Sequence, residues 1–208
     1  MNGVVSHGSR SNPLVALTFD DGPDGYYTPR VLDILERMGA PASFYVVGNR
    51  SEANPEMVRR MDRVGGEVGN HAYEEAHLDL RRIQPAEMLR SLSLTHEVIT
   101  RLTGKAPVTF RPPFGFYNTM VLSTAQRFGY QTVLWDVDSQ DWQSLTGQQI
   151  LQNVLPKVQN GSIILMHSAT TLPGEDLSGT INALPTIITD LRRRGFRLVT
   201  VAQMLGLR

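Results

Sequence analysis

Cysteine is absent from the 208-residue chain. Disulfide staples, thiolate metal sites and cysteine nucleophiles are thereby excluded, while the redox compartment stays open. An excess of charge is lacking too: Lys plus Arg number 20 and Asp plus Glu 20, so no net field draws the chain to nucleic acid or to an anionic membrane. Recognition has to come from a local site. No apolar run reaches the length of a membrane span, and the opening residues MNGVVSHGSRSNP lack the apolar core of a secretory leader. A soluble chain without a transmembrane segment is expected. Composition shows no break, repeat or low-complexity run, so one domain over 14–208 is expected behind an N-terminal tail at 1–13 that includes His7.

What the chain does have is an alternation of apolar, β-rich runs with helical patterns, the signature of parallel strands joined by crossover helices. Strands are expected at 15–20, 42–47, 67–70, 109–111, 132–136, 162–166 and 197–201. Helices are expected between them at 28–38, 55–64, 85–102, 119–128, 146–158 and 180–194. The first of these carries Val31, Leu32, Leu35 and Met38 at three-to-four spacing and stops at Gly39; the second opens on Asn54-Pro55, read as cap and first helical position. Seven such units fit either a relative of the eight-stranded barrel or an open doubly wound sheet, and both place chemistry at the carboxyl ends of strands. Five expected strand ends carry polar candidates: Asp20-Asp21, His71, Arg111, Asp138 with Asp141, and His167.

Thr18–Pro23, TFDDGP, sets two carboxylates side by side before a turn. Neighbours on a regular strand point to opposite faces, but a turn at the strand end can rotate one of them inward. Two anions in one place need positive charge nearby, and a metal ion and a guanidinium are natural suppliers. Taken alone, Asp-Gly-Pro is also ordinary turn chemistry. In GNHAYEEAH, His71 and His77 lie six positions apart, roughly 20 Å if extended and about 9 Å along a helix axis, so one ion can touch both only if the chain folds back between them. Trp135 and Trp142 read as core or lid aromatics or as platforms for a sugar ring. His96 reads as packing on a helix face, and Arg192–Arg194 as solvated charge opposing a helix dipole.

Together these segments resemble the polysaccharide deacetylases, carbohydrate esterase family 4. TFDDGP is similar to that family's first signature, Arg111-Pro112-Pro113-Phe114-Gly115 to the third, Asp138–Trp142 (DSQDW) to the fourth and Leu165-Met166-His167 to the fifth. The second motif departs: its histidines are usually four apart, so reading His77 as the second one implies a two-residue insertion, while Glu75 occupies the i+4 place and is the alternative ligand. Phe114 stands where the family usually has tyrosine.

The resemblance implies a distorted (β/α)7 barrel, TIM-barrel-like, with the site at the strand C-terminal ends. It implies one divalent metal ion, zinc with cobalt, nickel or manganese as alternatives, held by Asp21, His71 and His77. It assigns Asp20 as catalytic base pinned by Arg111, and His167 as catalytic acid held by Asp141. Phe114, Trp142 and Leu165 fall to the oxyanion and substrate pocket. The activity implied is hydrolysis of N-acetyl groups of N-acetylglucosamine in chitin-like oligomers or peptidoglycan; O-deacetylation of xylan and a weakly active glycan- or metal-binding relative are the alternatives. The expected partner is an acetylated glycan, the expected state a monomer, and the implied location secreted or in the cell envelope, with any leader absent from the chain as given.

Overall fold

The computed structural model describes residues 3–74 and 79–207. Along the chain the strands are β1 (Val4–Val5), β2 (Leu14–Asp20), β3 (Ser43–Val46), β4 (Glu67–Asn70), β5 (Thr109–Phe110), β6 (Gln131–Val133), β7 (Val137–Asp138), β8 (Ile163–His167) and β9 (Arg197–Leu198). The helices are α1 (Tyr27–Met38), α2 (Gly48–Ala53), α3 (Pro55–Arg63), α4 (Pro85–Thr103), α5 (Thr119–Arg127), α6 (Gly147–Val154), α7 (Ser178–Arg193) and α8 (Val201–Leu205), with 3₁₀ turns at Pro113–Gly115 and Asp141–Gln143.

Every ladder between named strands is parallel, in the order β1-β6-β5-β4-β3-β2-β8-β7 with β9 beside β2. The sheet curls into a partial barrel ringed by helices, the α/β architecture expected. β2 is buried from Val15 to Asp20 without alternation because both its faces are covered. On the outer face Phe19, Val46 and Met166 meet Val31, Leu32 and Leu35 of α1 and Leu184, Ile187 and Ile188 of α7 in the main core. Inside the curl Ala16, Tyr45, Val133, Ile163 and Val201 pack together. One carboxylate sits at the lower end of this interior: Glu67 accepts from Ser43 Oγ (2.7 Å), Thr109 Oγ1 (2.6 Å) and the Ala202 N–H (2.9 Å).

Sequence signals at helix ends are met in part. Gly39 adopts the left-handed conformation after α1, with φ 56°, and its N–H bonds Glu36 O. Pro55 opens α3, but Asn54 does not cap it: its amide turns back to Arg50 O at 3.1 Å. The strand expected at 197–201 ends at Leu198, because Thr200 caps α8 by accepting the Gln203 N–H at 3.1 Å. Arg192 and Arg194 are not simply solvated. Arg192 donates to Met38 O and Gly39 O (2.8 and 2.9 Å), and Arg194 to Leu155 O and Val158 O (both 2.8 Å), so they satisfy carbonyls after α1 and α6.

The stretch before Leu14, expected as a tail, is built into the sheet. Val4 and Val5 pair with Thr132 and Val133, and His7 forms an antiparallel bridge to Ser162. Gly8 N–H bonds Gly161 O at 2.8 Å, and Arg10 pairs with Asp136 at 2.8 Å. The segment thus straps β6 to the start of β8. Two-residue pairings of this kind carry no local periodicity, so the sequence could not announce them.

α7 meets the loop before α6 at Gly179, where an added Cβ would lie 1.9 Å from Leu145 O. Gly179→Ala is therefore expected to lower unfolding free energy by about 1–3 kcal/mol in urea denaturation, through overpacking of backbone that cannot yield.

Candidate functional site

The ends of β2 and β8 lie in register, Asp20 opposite His167, and Asp20 is opposite Tyr45 on the other side. Register partners project to the same face of a sheet. The next residue, Asp21, has φ 70°, a left-handed conformation that aspartate tolerates better than most side chains. That turn breaks the alternation and brings both carboxylates to one place: Asp21 Oδ1 lies 3.3 Å and Asp20 Oδ2 3.9 Å from His71 Nε2. Asp21 Oδ2 is 3.9 Å from His167 Nε2. All of these groups are buried or nearly so.

Arg111 follows β5 and has no exposed surface. Its Nη1 donates to Asp20 Oδ1 and Thr18 Oγ1, both at 2.7 Å, and its Nη2 to Leu134 O at 3.0 Å. The guanidinium also lies 4.1 Å from the centre of the Tyr45 ring. Arg111 is thus an internal anchor.

His167 Nδ1–H donates to Asp141 Oδ1 at 2.6 Å, and its backbone N–H to Asp141 Oδ2 at 2.9 Å. Thr180 Oγ1 adds a 2.7 Å bond to the same carboxylate. Burial disfavours the charged imidazole, but the Asp141 charge and hydrogen bond outweigh it and raise His167 to about 10. Burial also opposes ionisation of Asp141, yet the pairing with His167 leaves it below the usual carboxylate range. Asp138, part-buried, accepts the Gln140 N–H at 2.8 Å, and burial raises its pKa.

His71 Nδ1–H donates to Arg111 O at 2.7 Å, so in the neutral ring the Nε2 lone pair faces the Asp21 carboxylate. Two acceptors at that separation need a proton or a cation between them. Burial pushes the His71 pKa down, the Asp20 charge and the Asp21 bond push it up, and the net shift is upward. For Asp21, burial pushes up but the bond to His71 and the charge of His167 prevail, and its pKa is lowered. An imidazole nitrogen and a carboxylate oxygen held this way fit a divalent ion of the zinc type. His77 and its alternative Glu75 lie outside the described residues, and among the described residues no set of three His, Cys, Asp or Glu side chains forms a complete metal-holding group.

Phe114 and Trp142 are exposed on the loops after β5 and β7. Leu165 is buried two residues before His167 and shares its strand face. Trp135 packs near the Arg111 guanidinium, 5.5 Å away. His96, expected as packing, meets Tyr130 Oη at 2.8 Å.

Arg50 was not singled out by its sequence context. From α2 its Nη1 donates to Asp21 O (3.1 Å) and Thr170 O (3.0 Å), tying the loop after β2 to the loop after β8. Its partners are distant backbone carbonyls, for which no sequence pattern exists.

Because Asp141 is the largest charge acting to raise His167, Asp141→Asn is expected to move its titration sharply down in an NMR pH titration of the imidazole. The raised pKa contributes stability that is full below pH about 6.5 and lost as pH climbs towards 10. The variant is expected to lose that part of the pH dependence.

The family model described as polysaccharide deacetylase matches residues 7–133. A peptidoglycan-N-acetylglucosamine deacetylase of Bacillus cereus is 37% identical over 92% of this chain and 88% of its own length. A chitooligosaccharide deacetylase of a Bradyrhizobium species is 37% identical over 97% of this chain and 93% of its own. The crystal structure of a peptidoglycan N-acetylglucosamine deacetylase in complex with a naphthalenyl N-oxidanyl-benzamide superposes with a TM-score of 0.92 at 34% identity, covering 99% of this chain and 94% of that one. The chain belongs to the polysaccharide deacetylase family.

Proposed function

We propose that this protein is a metal-dependent N-deacetylase that hydrolyses N-acetyl groups of N-acetylglucosamine residues in peptidoglycan or chitin-like oligomers. The observation that carries this reading is the pairing of Asp20 and His167 at neighbouring strand ends, each held by its own buried partner of opposite charge. An acid and a base fixed side by side suit hydrolysis of an acyl bond. The relatives named above, deacetylases of peptidoglycan and of chitooligosaccharides, support an amide substrate over an ester.

A divalent ion held by Asp21, His71 and a third donor would supply a water of pKa about 7 and polarise the acetyl carbonyl. Arg111 engages Asp20 Oδ1, which leaves Oδ2 to take the proton of the attacking water. His167 gives the proton at Nε2 to the departing amine while Asp141 keeps hold of Nδ1. Water is thus added across the C–N bond, giving acetate and a free amine. The backbone N–H of Phe114 donates to the developing oxyanion, and because that donor is main chain, phenylalanine serves where a relative has tyrosine. Trp142 and Leu165 accommodate the acetyl methyl. His77 is the third donor, with Glu75 as its alternative. We propose secretion or attachment to the cell envelope as the location, on the strength of the peptidoglycan reading.

Purified protein is expected to release acetate from N-acetylated chitooligomers or peptidoglycan, to lose that activity on chelation, and to regain it with zinc or cobalt. Asp20→Asn should cost about 10²–10⁴ in kcat. Release from acetylated xylan alone would move the activity to the ester class. Metal uptake with no release from any of the three substrates would overturn the hydrolase reading. His77→Ala should weaken metal affinity strongly and Glu75→Ala should not; the opposite pattern in a chelator competition would exchange their roles.

A further inference from the structure

The strand end that delivers His71 is held by a side chain to which no role has been given. Asn70 is completely buried at the last position of β4. Its Oδ1 accepts the Ala72 N–H at 2.9 Å. Its Nδ2 donates to Leu92 O of α4 at 3.0 Å and to Tyr130 Oη at 3.1 Å. Tyr130, itself buried, donates its hydroxyl to His96 Nδ1 at 2.8 Å, so the carboxamide is anchored to α4 both directly and through that hydroxyl. Both amide hydrogens and the carbonyl are engaged, which leaves one orientation for the group.

Ala72 has φ 71°, a left-handed conformation that a residue with a Cβ adopts only under constraint. His71 sits between the clamp at Asn70 and this turn, with its N–H on Val46 O and its ring on Arg111 O. Asn70 O in turn accepts the Arg111 N–H at 3.0 Å. The far side of the turn is held by Gly48 N–H on Ala72 O and by Ser91 Oγ, which accepts the Tyr73 N–H. Among the described residues, Asn70 alone bonds the turn through a side chain from β4, the strand that leads into His71.

We infer that Asn70 is a positioning residue: its buried carboxamide locks the left-handed turn at Ala72 and so fixes the aim of the His71 imidazole at Asp21. The inference rests on the reading of Asp21 and His71 as metal ligands.

The test is zinc affinity of the metal-free protein, measured by competition with a chromophoric chelator, with melting of the metal-free protein recorded separately. Asn70→Ala is expected to bind zinc about tenfold more weakly or worse, the cost typical of removing a group that orients a ligand. Asn70→Ala combined with Ala72→Gly should recover much of that loss, since glycine takes the left-handed conformation unaided. Wild-type affinity in Asn70→Ala, or no recovery in the double variant, would overturn the inference. If Asn70→Ala does not fold, Tyr130→Phe removes one anchor of the amide while keeping the ring: weakened binding supports the inference and unchanged binding overturns it. Wild-type protein that takes up no zinc would instead overturn the metal reading, and this inference with it.

Discussion

A guanidinium with no exposed surface cannot stand unpaired, and the placement of the catalytic candidates follows from how Arg111 is satisfied. Its donors reach Asp20 and Thr18 on β2 and the carbonyls of Val133 and Leu134 at the end of β6, while its plane rests on Tyr45 of β3. One side chain therefore joins three strands across the interior of the curl. Arginine suits this role because its planar fork serves several acceptors at once, which a lysine could not do. The carboxylate it holds is fixed to a single orientation at the point where β2 ends.

Around that anchor the charges are balanced locally. Asp20 has Arg111, Asp141 has His167, and Asp21 has the Nε2 atoms of two imidazoles within 4 Å. The net charge of zero, which excludes long-range steering, thus coexists with a dense cluster of paired ions in one place. The backbone bears part of the cost. Among the described residues five non-glycine positions have positive φ: Asp21, Ala72, Phe114, Gln140 and Ser144. Four of them are candidate residues or their direct neighbours. Strain concentrated this way marks a site whose surroundings over-determine its geometry.

Much of this was legible beforehand because it follows from periodicity and turn chemistry. The seven expected strands all exist, with ends shifted by a few residues, and six expected helices are in place. The rule that α/β folds gather polar residues at strand C-termini singles out Asp20, Asp21, His71, Arg111, Asp141 and His167, and the structure brings these side chains together. What could not be read were features resting on distant backbone: the strap from Val4 to Arg10, the reach of Arg50 to Thr170 O, and the capping of α1 by Arg192. Asn54 shows the opposite failure, since its sequence context promised a cap that its amide spends on Arg50 O.

The sequence alone determined which chemical groups are present and, through the 2.0 and 3.6 residue periods, which strand ends would carry them. It excluded thiol chemistry and long-range electrostatic recruitment. Only the tertiary structure decided which groups meet. The register that sets Asp20 beside His167 is not a property of any local stretch, and Asp-Gly-Pro announces a turn without showing that it swings Asp21 towards His71. Both meetings are imposed by the packing of strands far apart in the chain, where parallel register and the pairing of buried charge hold the groups together.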